Sequence, residues 1–339
     1  MLLSVLDQSP IREGGTPADA IRETVALAQT ADAAGYRRYW LAEHHSSSGL
    51  AGTAPEVLIT QVAAQTSRIR VGSGGVMLSH YSPLKVAEVF RMLETLYPGR
   101  IDLGVGRAAG SSRQVAEALA LGPGSVGIEV YPYQVADLVG YLENDLPEDH
   151  PFHGVRAQPA GETQPEVWML GSSLESAQIA ADLGLPYTYA HFINPEAGER
   201  AIALYRDRFQ PSASYPEPRV SAAVSALAAA TEEEAVQLSW SRYCMRFRRK
   251  GVPSVETAMA FDYKPAELEF IVYSRNRAAI GDPPTVKARL EQLATELDSD
   301  ELVLLTITYD FADRVRSYEL VADAFGLAIV PDSEASTTV

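Results

Sequence analysis

The segment Glu43-His44-His45 places a carboxylate and two adjacent imidazoles directly after a short apolar run at 36–42. Only six histidines occur in the 339 residues, and two of them are neighbours here. An imidazole titrates near neutral pH and serves as an acid, a base or a hydrogen-bond donor to a heterocycle. A polar surface loop would carry the same residues. A metal site would need a second cluster of His, Asp or Glu, which the sequence does not offer, so we predict acid–base chemistry by His44 and His45 and no metal.

Glycines and small polar residues end three further apolar runs. The stretch 72–75 carries three glycines, which indicates either a tight barrel corner or bare backbone that a flat ligand approaches closely. Arg107 follows the next run, where it would hold a phosphate or pair with a carboxylate on the rim. Ser172 and Ser173 precede a helical pattern, where they would cap the helix or face a phosphate.

The four clusters can form one site only if the fold brings the ends of their apolar runs together. Eight apolar runs alternate with helical patterns, which is typical of βα units around a parallel sheet. The predicted strands are 2–6, 38–42, 69–74, 101–106, 167–171, 186–191, 219–230 and 302–309. The predicted helices are 17–34, 54–66, 83–96, 131–142, 173–183, 195–209, one that begins at 283, and 314–325.

This order predicts an α/β fold, the (β/α)8 or TIM barrel, whose active sites lie at the carboxyl ends of the strands. A doubly wound sheet would show fewer strands and a Gly-x-Gly-x-x-Gly turn after the first strand, where this chain has Asp7-Gln8-Ser9-Pro10. We expect one domain over residues 1–330. The stretch 251–284 breaks the alternation between strand seven and the last helices, and we predict an inserted long loop that acts as a mobile lid. Residues 331–339 are small and polar, which predicts a flexible tail.

The composition excludes several classes of protein. A formal net charge of −16 disfavours nucleic acid and anionic membrane surfaces as partners. Cys244 is the single cysteine, so an intramolecular disulfide is impossible, and a reducing compartment fits. The first residues lack the basic segment of a signal peptide, and no apolar run approaches the ~20 residues that span a bilayer. We expect a cytoplasmic protein.

The four clusters belong to longer motifs. These are YWLAEHH at 39–45, APEVLI at 54–59, IRVGSGGVML at 69–78, YSPLKVAE at 81–88 and PGRIDLGVGR at 98–107, with sparser matches at 171–177 and 286–290. In these motifs the chain resembles the bacterial luciferase-like monooxygenase family, closest to members from actinomycete secondary-metabolite pathways. The dense part of the resemblance covers most of residues 1–110.

The resemblance implies a (β/α)8 barrel that binds reduced FMN at the carboxyl ends of its strands. It implies that Glu43 lies near the flavin and that Gly74 and Gly75 form a non-prolyl cis pair under the flavin ring. The implied phosphate-binding residues are Arg107, Glu175 and Ser176. A negative Glu175 fits beside a phosphate only if it orients Arg107 or offers its backbone N–H.

His44 and His45 match the family's pair at the reaction centre. The resemblance implies a two-component monooxygenase, in which a separate NAD(P)H:flavin reductase supplies reduced FMN. O2 then provides one oxygen atom for a small organic substrate by hydroxylation, epoxidation or Baeyer–Villiger oxidation. A homodimer through the helices beside strands two and three is also implied. Two alternatives stay open: an F420-dependent oxidoreductase of the same fold, and a non-catalytic flavin-binding protein.

Overall fold

The computed structural model describes residues 1–107, 113–119, 128–248 and 250–327. Its described strands are β1 (Leu2–Asp7), β2 (Arg38–Leu41), β3 (Arg70–Met77), β4 (Ile101–Gly106), β5 (Glu166–Gly171), β6 (Tyr187–Ala190), β7 (Val220–Ala228), β8 (Ala279–Gly281) and β9 (Glu301–Leu305). Its described α-helices are α1 (Pro17–Ala33), α2 (Pro55–Ala64), α3 (Pro83–Leu96), α4 (Arg113–Leu119), α5 (Tyr131–Glu143), α6 (Leu174–Asp182), α7 (Gly198–Arg208), α8 (Glu232–Arg248), α9 (Val255–Met259), α10 (Pro265–Asn276), α11 (Pro283–Glu296) and α12 (Phe311–Phe325).

Eight parallel strands close into a barrel. Strands β1 to β7 pair in sequence order, β7 pairs with β9, and β9 pairs with β1, which completes the circle. The predicted (β/α)8 barrel is therefore confirmed. Strand β8 is additional: it pairs only with the end of β7, through the register Ala226↔Ala279.

Local sequence signals explain where the elements begin and how they face the core. Helix α1 starts with a capping box, in which the Thr16 side chain accepts from the Asp19 backbone N–H and the Asp19 carboxylate accepts from the Thr16 backbone N–H. Pro17 occupies the first helical position, where its missing N–H costs nothing. All nine residues of β7 are buried, as expected for a strand that has helices on one side and the barrel interior on the other.

Charged residues fill the interior at the amino ends of the strands. The Arg38 guanidinium lies 2.8 Å from Asp102, 3.0 Å from Glu166 and 3.0 Å from Glu301, and its side chain is 1% exposed. Burial opposes its charge, but the three carboxylates outweigh burial and raise the pKa of Arg38 above its ordinary value. The guanidinium also lies 4.8 Å from the Trp168 ring centroid. This network closes the end of the barrel opposite to the four clusters.

A second buried ion pair joins the first strand to the last helix. The Arg314 guanidinium of α12 lies 2.7 Å from the Asp7 carboxylate at the end of β1, and both side chains are almost fully buried. Asp7 also accepts hydrogen bonds from the Tyr39 hydroxyl and the Ser9 backbone N–H. Burial alone would raise the pKa of Asp7, but Arg314 and these donors hold it below its usual range.

The prediction that 251–284 is a long loop was wrong. The segment contains α9, α10 and β8, and a further helix, α8, precedes it without having been predicted. Only Ile271 of α10 is buried, so the sequence of α10 shows no apolar stripe. Helix α8 carries glutamates in its first turn and arginines in its last turn, an arrangement that the helix dipole favours. These charged residues interrupt the apolar periodicity by which a helix is recognised in a sequence. Motion of 251–284 stays a prediction.

Two further features concern the limits of the chain. Residues 331–339, the predicted flexible tail, lie outside the described residues. Within the described ranges, every helix is too short or too polar to cross a lipid bilayer.

Candidate active site

A cavity of about 560 Å3 opens at the carboxyl ends of the strands. All four sequence clusters reach its wall, through 42–44 after β2, 74–75 in β3, 106–107 after β4 and 171–173 after β5. Ser176 of α6 also lines it. The barrel therefore brings together most of the residues that the sequence singled out, whereas His45 and Glu175 are not among the residues that line the cavity.

Glu43 anchors the rim of this cavity. It is 4% exposed, and its carboxylate accepts hydrogen bonds from the Met77 backbone N–H at 3.0 Å and the Tyr81 hydroxyl at 2.6 Å. The third donor is Nε2 of His45, at 2.6 Å. Burial, together with the hydrogen bond to this carboxylate, raises the pKa of Tyr81, so the tyrosine supplies the proton in their bond. Glu43 ties the end of β2 to β3 and to the segment that follows β3.

His44 and His45 occupy different surroundings. His44 lines the cavity, and its backbone N–H donates to the Gly52 carbonyl at 2.8 Å. Among the described residues, its buried Nδ1 has no hydrogen-bond partner. Burial lowers the pKa of His44, although Glu43 acts in the opposite direction, so the ring is neutral near pH 7. A neutral imidazole with an unbonded nitrogen is available to a ligand in the cavity.

Gly74 and Gly75 form part of the cavity wall as bare backbone. The peptide bond between them is cis, as the resemblance implied. A Cβ on Gly74 would lie 2.7 Å from Cδ1 of Leu6, and one on Gly75 would lie 2.6 Å from the Gly104 carbonyl oxygen. The pairing of β3 with β4 also shifts register after Gly74. The stretch is therefore both a tightly packed corner of the barrel and bare backbone at the cavity, so the two interpretations given for its glycines are compatible.

Arg107 pairs with Glu175 at the cavity mouth. Their side chains, 33% and 61% exposed, approach to 2.6 Å between the guanidinium and the carboxylate. The rim ion pair considered as an alternative for Arg107 is thus present, and Glu175 orients the arginine rather than lining the cavity. Arginine has five donors, so the contact with Glu175 does not occupy all of them and leaves donors for a further anion.

Ser173 and Ser176 begin α6 with a capping box. The Ser173 hydroxyl accepts from the Ser176 backbone N–H at 3.2 Å, which confirms the N-cap interpretation of Ser173. The Ser176 hydroxyl donates to the Ser173 carbonyl at 2.8 Å and lies 3.0 Å from the Tyr187 hydroxyl. Ser172, Ser173 and Ser176 all line the cavity, so the amino end of α6 faces it.

The opposite wall of the cavity is formed by residues that no sequence motif marked. Gln8, Thr188, Phe192 and Ile193 also line the cavity. The predicted barrel does indicate the position of this wall, because it places the ends of strands one and six at the same rim. Phe192 and Ile193 were overlooked because an apolar pair after a strand looks like ordinary core.

Comparison with known proteins places this geometry in a family. The sequence model of the family described as "luciferase-like monooxygenase" matches residues 1–300. The protein YwcH of Bacillus subtilis, which is uncharacterised, is 46% identical over 332 residues, with 95% of this chain and 98% of YwcH covered. The N-acetyl-S-alkylcysteine monooxygenase of Bacillus subtilis is 38% identical over 330 residues, covering 95% and 97% of the two chains. The crystal structure of apo-MsnO8 superposes with a TM-score of 0.86 at 39% identity and covers 96% of this chain and 99% of MsnO8.

The family match ends just before β9, and the relatives align with 95–96% of the chain, so the similarity covers nearly all of the barrel that forms the cavity. The resemblance seen in the sequence is confirmed, and so is the class of chemistry, an oxidoreductase that incorporates oxygen. The chain belongs to the luciferase-like monooxygenase family.

Proposed function

We propose that this chain is the oxygenating component of a two-component, FMN-dependent monooxygenase that acts on a small organic substrate. The observation that carries the proposal is the position of His44. It lines a cavity at the carboxyl ends of the strands, and within the described residues its buried Nδ1 is without a partner. Buried polar atoms without partners are uncommon in folded proteins, and at such a site they point to a ligand.

The residues of the cavity suit FMN. Its volume of about 560 Å3 falls in the range of cofactor and ligand pockets, roughly 300–1,000 Å3. The backbone at Gly74 and Gly75 offers a surface without side chains for a flat ring. Arg107 and the amino end of α6 at Ser173 would hold the phosphate, through charge-assisted hydrogen bonds and the helix dipole. When bound, reduced FMN supplies the electrons that activate O2.

The chain's own side chains then have distinct tasks. His44, neutral near pH 7, takes or gives a proton at the substrate. Glu43 and His45 hold the strand end that carries His44. Leu6, Trp40 and Val303 in the apolar wall keep water out of the reaction. Each of these assignments is part of the proposal.

A lid over the site is the second part of the proposal. Segment 251–284 would open for the substrate and close during turnover. Its helix α10 buries only Ile271, so few apolar contacts hold it down. Hydrogen exchange of α10, measured with and without reduced FMN and substrate, tests this: protection that rises on binding supports a lid, and unchanged protection excludes one.

The cofactor is tested by mixing the purified protein with chemically reduced FMN or reduced F420 and following oxygen consumption. Free reduced FMN consumes O2 without an enzyme, so the deciding result is the transfer of 18O from 18O2 to a substrate. We expect 18O to enter a thioether probe such as N-acetyl-S-methylcysteine, because a 38%-identical relative carries an N-acetyl-S-alkylcysteine name. Adding a flavin reductase and NAD(P)H should replace the chemical reductant. Hydride transfer from F420, or FMN binding without transfer of 18O, would overturn the assignment.

We also propose a homodimer through α2 and α3. Three apolar side chains on these adjacent helices are exposed: Val57 by 65%, Met92 by 51% and Leu96 by 54%. Large exposed apolar side chains on adjacent elements mark association surfaces. Size-exclusion chromatography with light scattering should give a dimer for the wild type and a monomer for Met92→Glu. Val272→Glu, at a position 55% exposed on α10, is the matched control and should remain dimeric.

A further inference from the structure

A second cavity of about 430 Å3 lies beside the proposed flavin site. Its walls come from the ends of β7 and β9, the turn after β6, and one face each of α8 and α10. The two cavities share three lining residues: Gln8, Phe192 and Ile193. They therefore meet at Phe192, which packs against core residues on both sides.

The lining of this second cavity is cationic in an otherwise acidic protein. Arg242 and Arg246 of α8 and Arg277 beside α10 all line it, and no described Asp or Glu does. The chain as a whole carries 44 acidic residues against 28 basic ones, so a wall with three arginines and no acid departs from its composition. His191 adds no charge near pH 7, because burial lowers its pKa to about 4.

The three arginines differ in how their charge is balanced. Arg277 pairs with Glu196 at 2.6 Å, and that glutamate lies outside the cavity wall. Arg242 and Arg246 contact aromatic rings instead: their guanidinium carbons lie 5.9 Å from the Tyr243 ring centroid and 4.7 Å from that of Phe270. Within the ranges that the structure describes, neither has a carboxylate at salt-bridge distance. Two cations thus line this cavity without a counter-ion among the described residues, the half-buried Arg242 and the exposed Arg246.

A cation that is removed from water without a counter-ion costs free energy, because it loses hydration. This applies to Arg242, since burial lowers its pKa. The remaining lining is apolar or aromatic and includes Met245, Phe270 and Leu305. A ligand that suits such a wall has an anionic group and an apolar body.

We infer that the substrate carries a carboxylate, that Arg242 and Arg246 bind this group in the second cavity, and that the substrate's apolar body extends past Phe192 to His44. This inference rests on the proposed function, since it places the substrate relative to the flavin site. It makes Arg242 and Arg246 specificity-determining residues.

The test uses matched pairs of probes that differ only in charge: octanoate against octanamide, and 4-phenylbutyrate against 4-phenylbutanamide. Calorimetric titration of the full-length protein should show that each acid binds about tenfold or more tightly than its amide, as expected for charge-assisted hydrogen bonds. Arg242→Gln and Arg246→Gln should each reduce this preference, and the double variant should abolish it. Arg242→Lys, which keeps the charge, should retain part of it.

Arg316→Gln is the control, because Arg316 is 63% exposed on α12 and pairs only weakly with Glu319, at 3.9 Å. It should leave the preference for the acid unchanged. Arg246 is exposed in part, so its variant stays informative even if Arg242→Gln folds poorly. Equal binding of acid and amide by the wild type, absence of binding by every acid at millimolar concentration, or a preference that survives the double variant each overturns the inference.

FMN titration and oxygen consumption, measured on the same samples, separate this inference from the proposed function. A wild-type protein that binds FMN and transfers oxygen from O2, yet shows no preference for the acids, overturns the substrate assignment alone. A protein that neither binds FMN nor consumes O2, yet prefers acids through Arg242 and Arg246, overturns the proposed function and leaves a carboxylate site.

Discussion

The Glu43 carboxylate accepts a hydrogen bond from Nε2 of His45 at 2.6 Å, and this contact separates the roles of two adjacent histidines. It holds the His45 ring against Glu43, and His45 is not among the residues that line the cavity. His44, one residue earlier, lines the cavity instead. Two residues that are equivalent in the sequence are therefore not equivalent in the site.

Replacing His44 tests its assignment as the acid–base group. His44→Ala should lower substrate oxygenation by about 100-fold or more, as expected for loss of a general acid or base. Affinity for reduced FMN, measured by flavin titration, should change little, because phosphate and ring contacts remain. His45→Asn is the matched comparison and should retain more activity. Full turnover by His44→Ala would exclude the role.

Arg107 should matter for the phosphate of FMN and little for the fold. Its pair with Glu175 is partly exposed, and such pairs contribute less than about 1 kcal/mol to stability. Arg107→Met should weaken FMN binding by about tenfold or more, since it removes a charge-assisted contact. Riboflavin, which lacks the phosphate, is the control ligand. An equal loss of affinity for both ligands would show that Arg107 acts elsewhere.

Two glycines of the cavity wall should differ in how much an added methyl group destabilises the protein. Gly75→Ala places a Cβ 2.6 Å from the Gly104 carbonyl oxygen, a backbone atom that moves little, so it should lower the free energy of unfolding by about 1–3 kcal/mol. Gly106→Ala meets no atom of the described residues within 4 Å and should leave stability unchanged. Urea unfolding of both variants measures the difference. Equal stability would contradict the packing described for β3 and β4.

The interior network predicts a large cost for removing its cation. Arg38→Met leaves Glu301 buried without its cation and Asp102 with Arg70 as its remaining cation, and should lower the free energy of unfolding by about 3–5 kcal/mol. The exposed neighbour Arg37 provides the control: Arg37→Met should change the free energy of unfolding by less than about 0.5 kcal/mol. Chemical denaturation at neutral pH gives both values, and similar values for the two variants would refute the role of Arg38.

His191 should make stability depend on pH. It is 7% exposed, and burial, then Arg289 and Arg277, lower its pKa from 6.5 to about 4, while Glu296 and Glu196 act in the other direction. The unfolded chain binds the proton first, so this contribution is complete above about pH 6.5 and is lost as the pH falls towards 4, by up to about 3 kcal/mol. His191→Asn should show a flatter stability profile between these values. Parallel profiles for wild type and variant would contradict the assignment.

The sequence predicted the barrel and the position of its site because both depend on patterns that short segments carry. Apolar runs alternate with helical patterns, and polar residues follow the runs at Glu43, Gly74, Arg107 and Ser173. The barrel then requires these strand ends to meet. The boundary of α1 was also accessible, because a capping residue and a proline mark its start.

What the sequence could not supply depends on contacts between distant segments. The residue types alone do not distinguish His44 from His45. The difference depends on the Glu43 carboxylate, which accepts hydrogen bonds from Met77 and Tyr81 and from Nε2 of His45. Helices α8 and α10 carry charged and mixed faces, so no apolar period reveals them. The cationic second cavity was invisible for the same reason, because its arginines become neighbours only when these helices pack on the barrel.

The contact between Asp7 and Arg314, 307 positions apart, has a consequence for biosynthesis. Ribosomes synthesise chains from the amino terminus, so β1 is made long before β9 and α12. Strand β9 completes the pairing of β1, and α12 supplies the arginine of the ion pair. Until then one edge of β1 and one edge of β7 lack the neighbour that β9 provides. Unpaired edges invite association between chains. A nascent chain that stalls before residue 300 is therefore the form of this protein most in need of a chaperone.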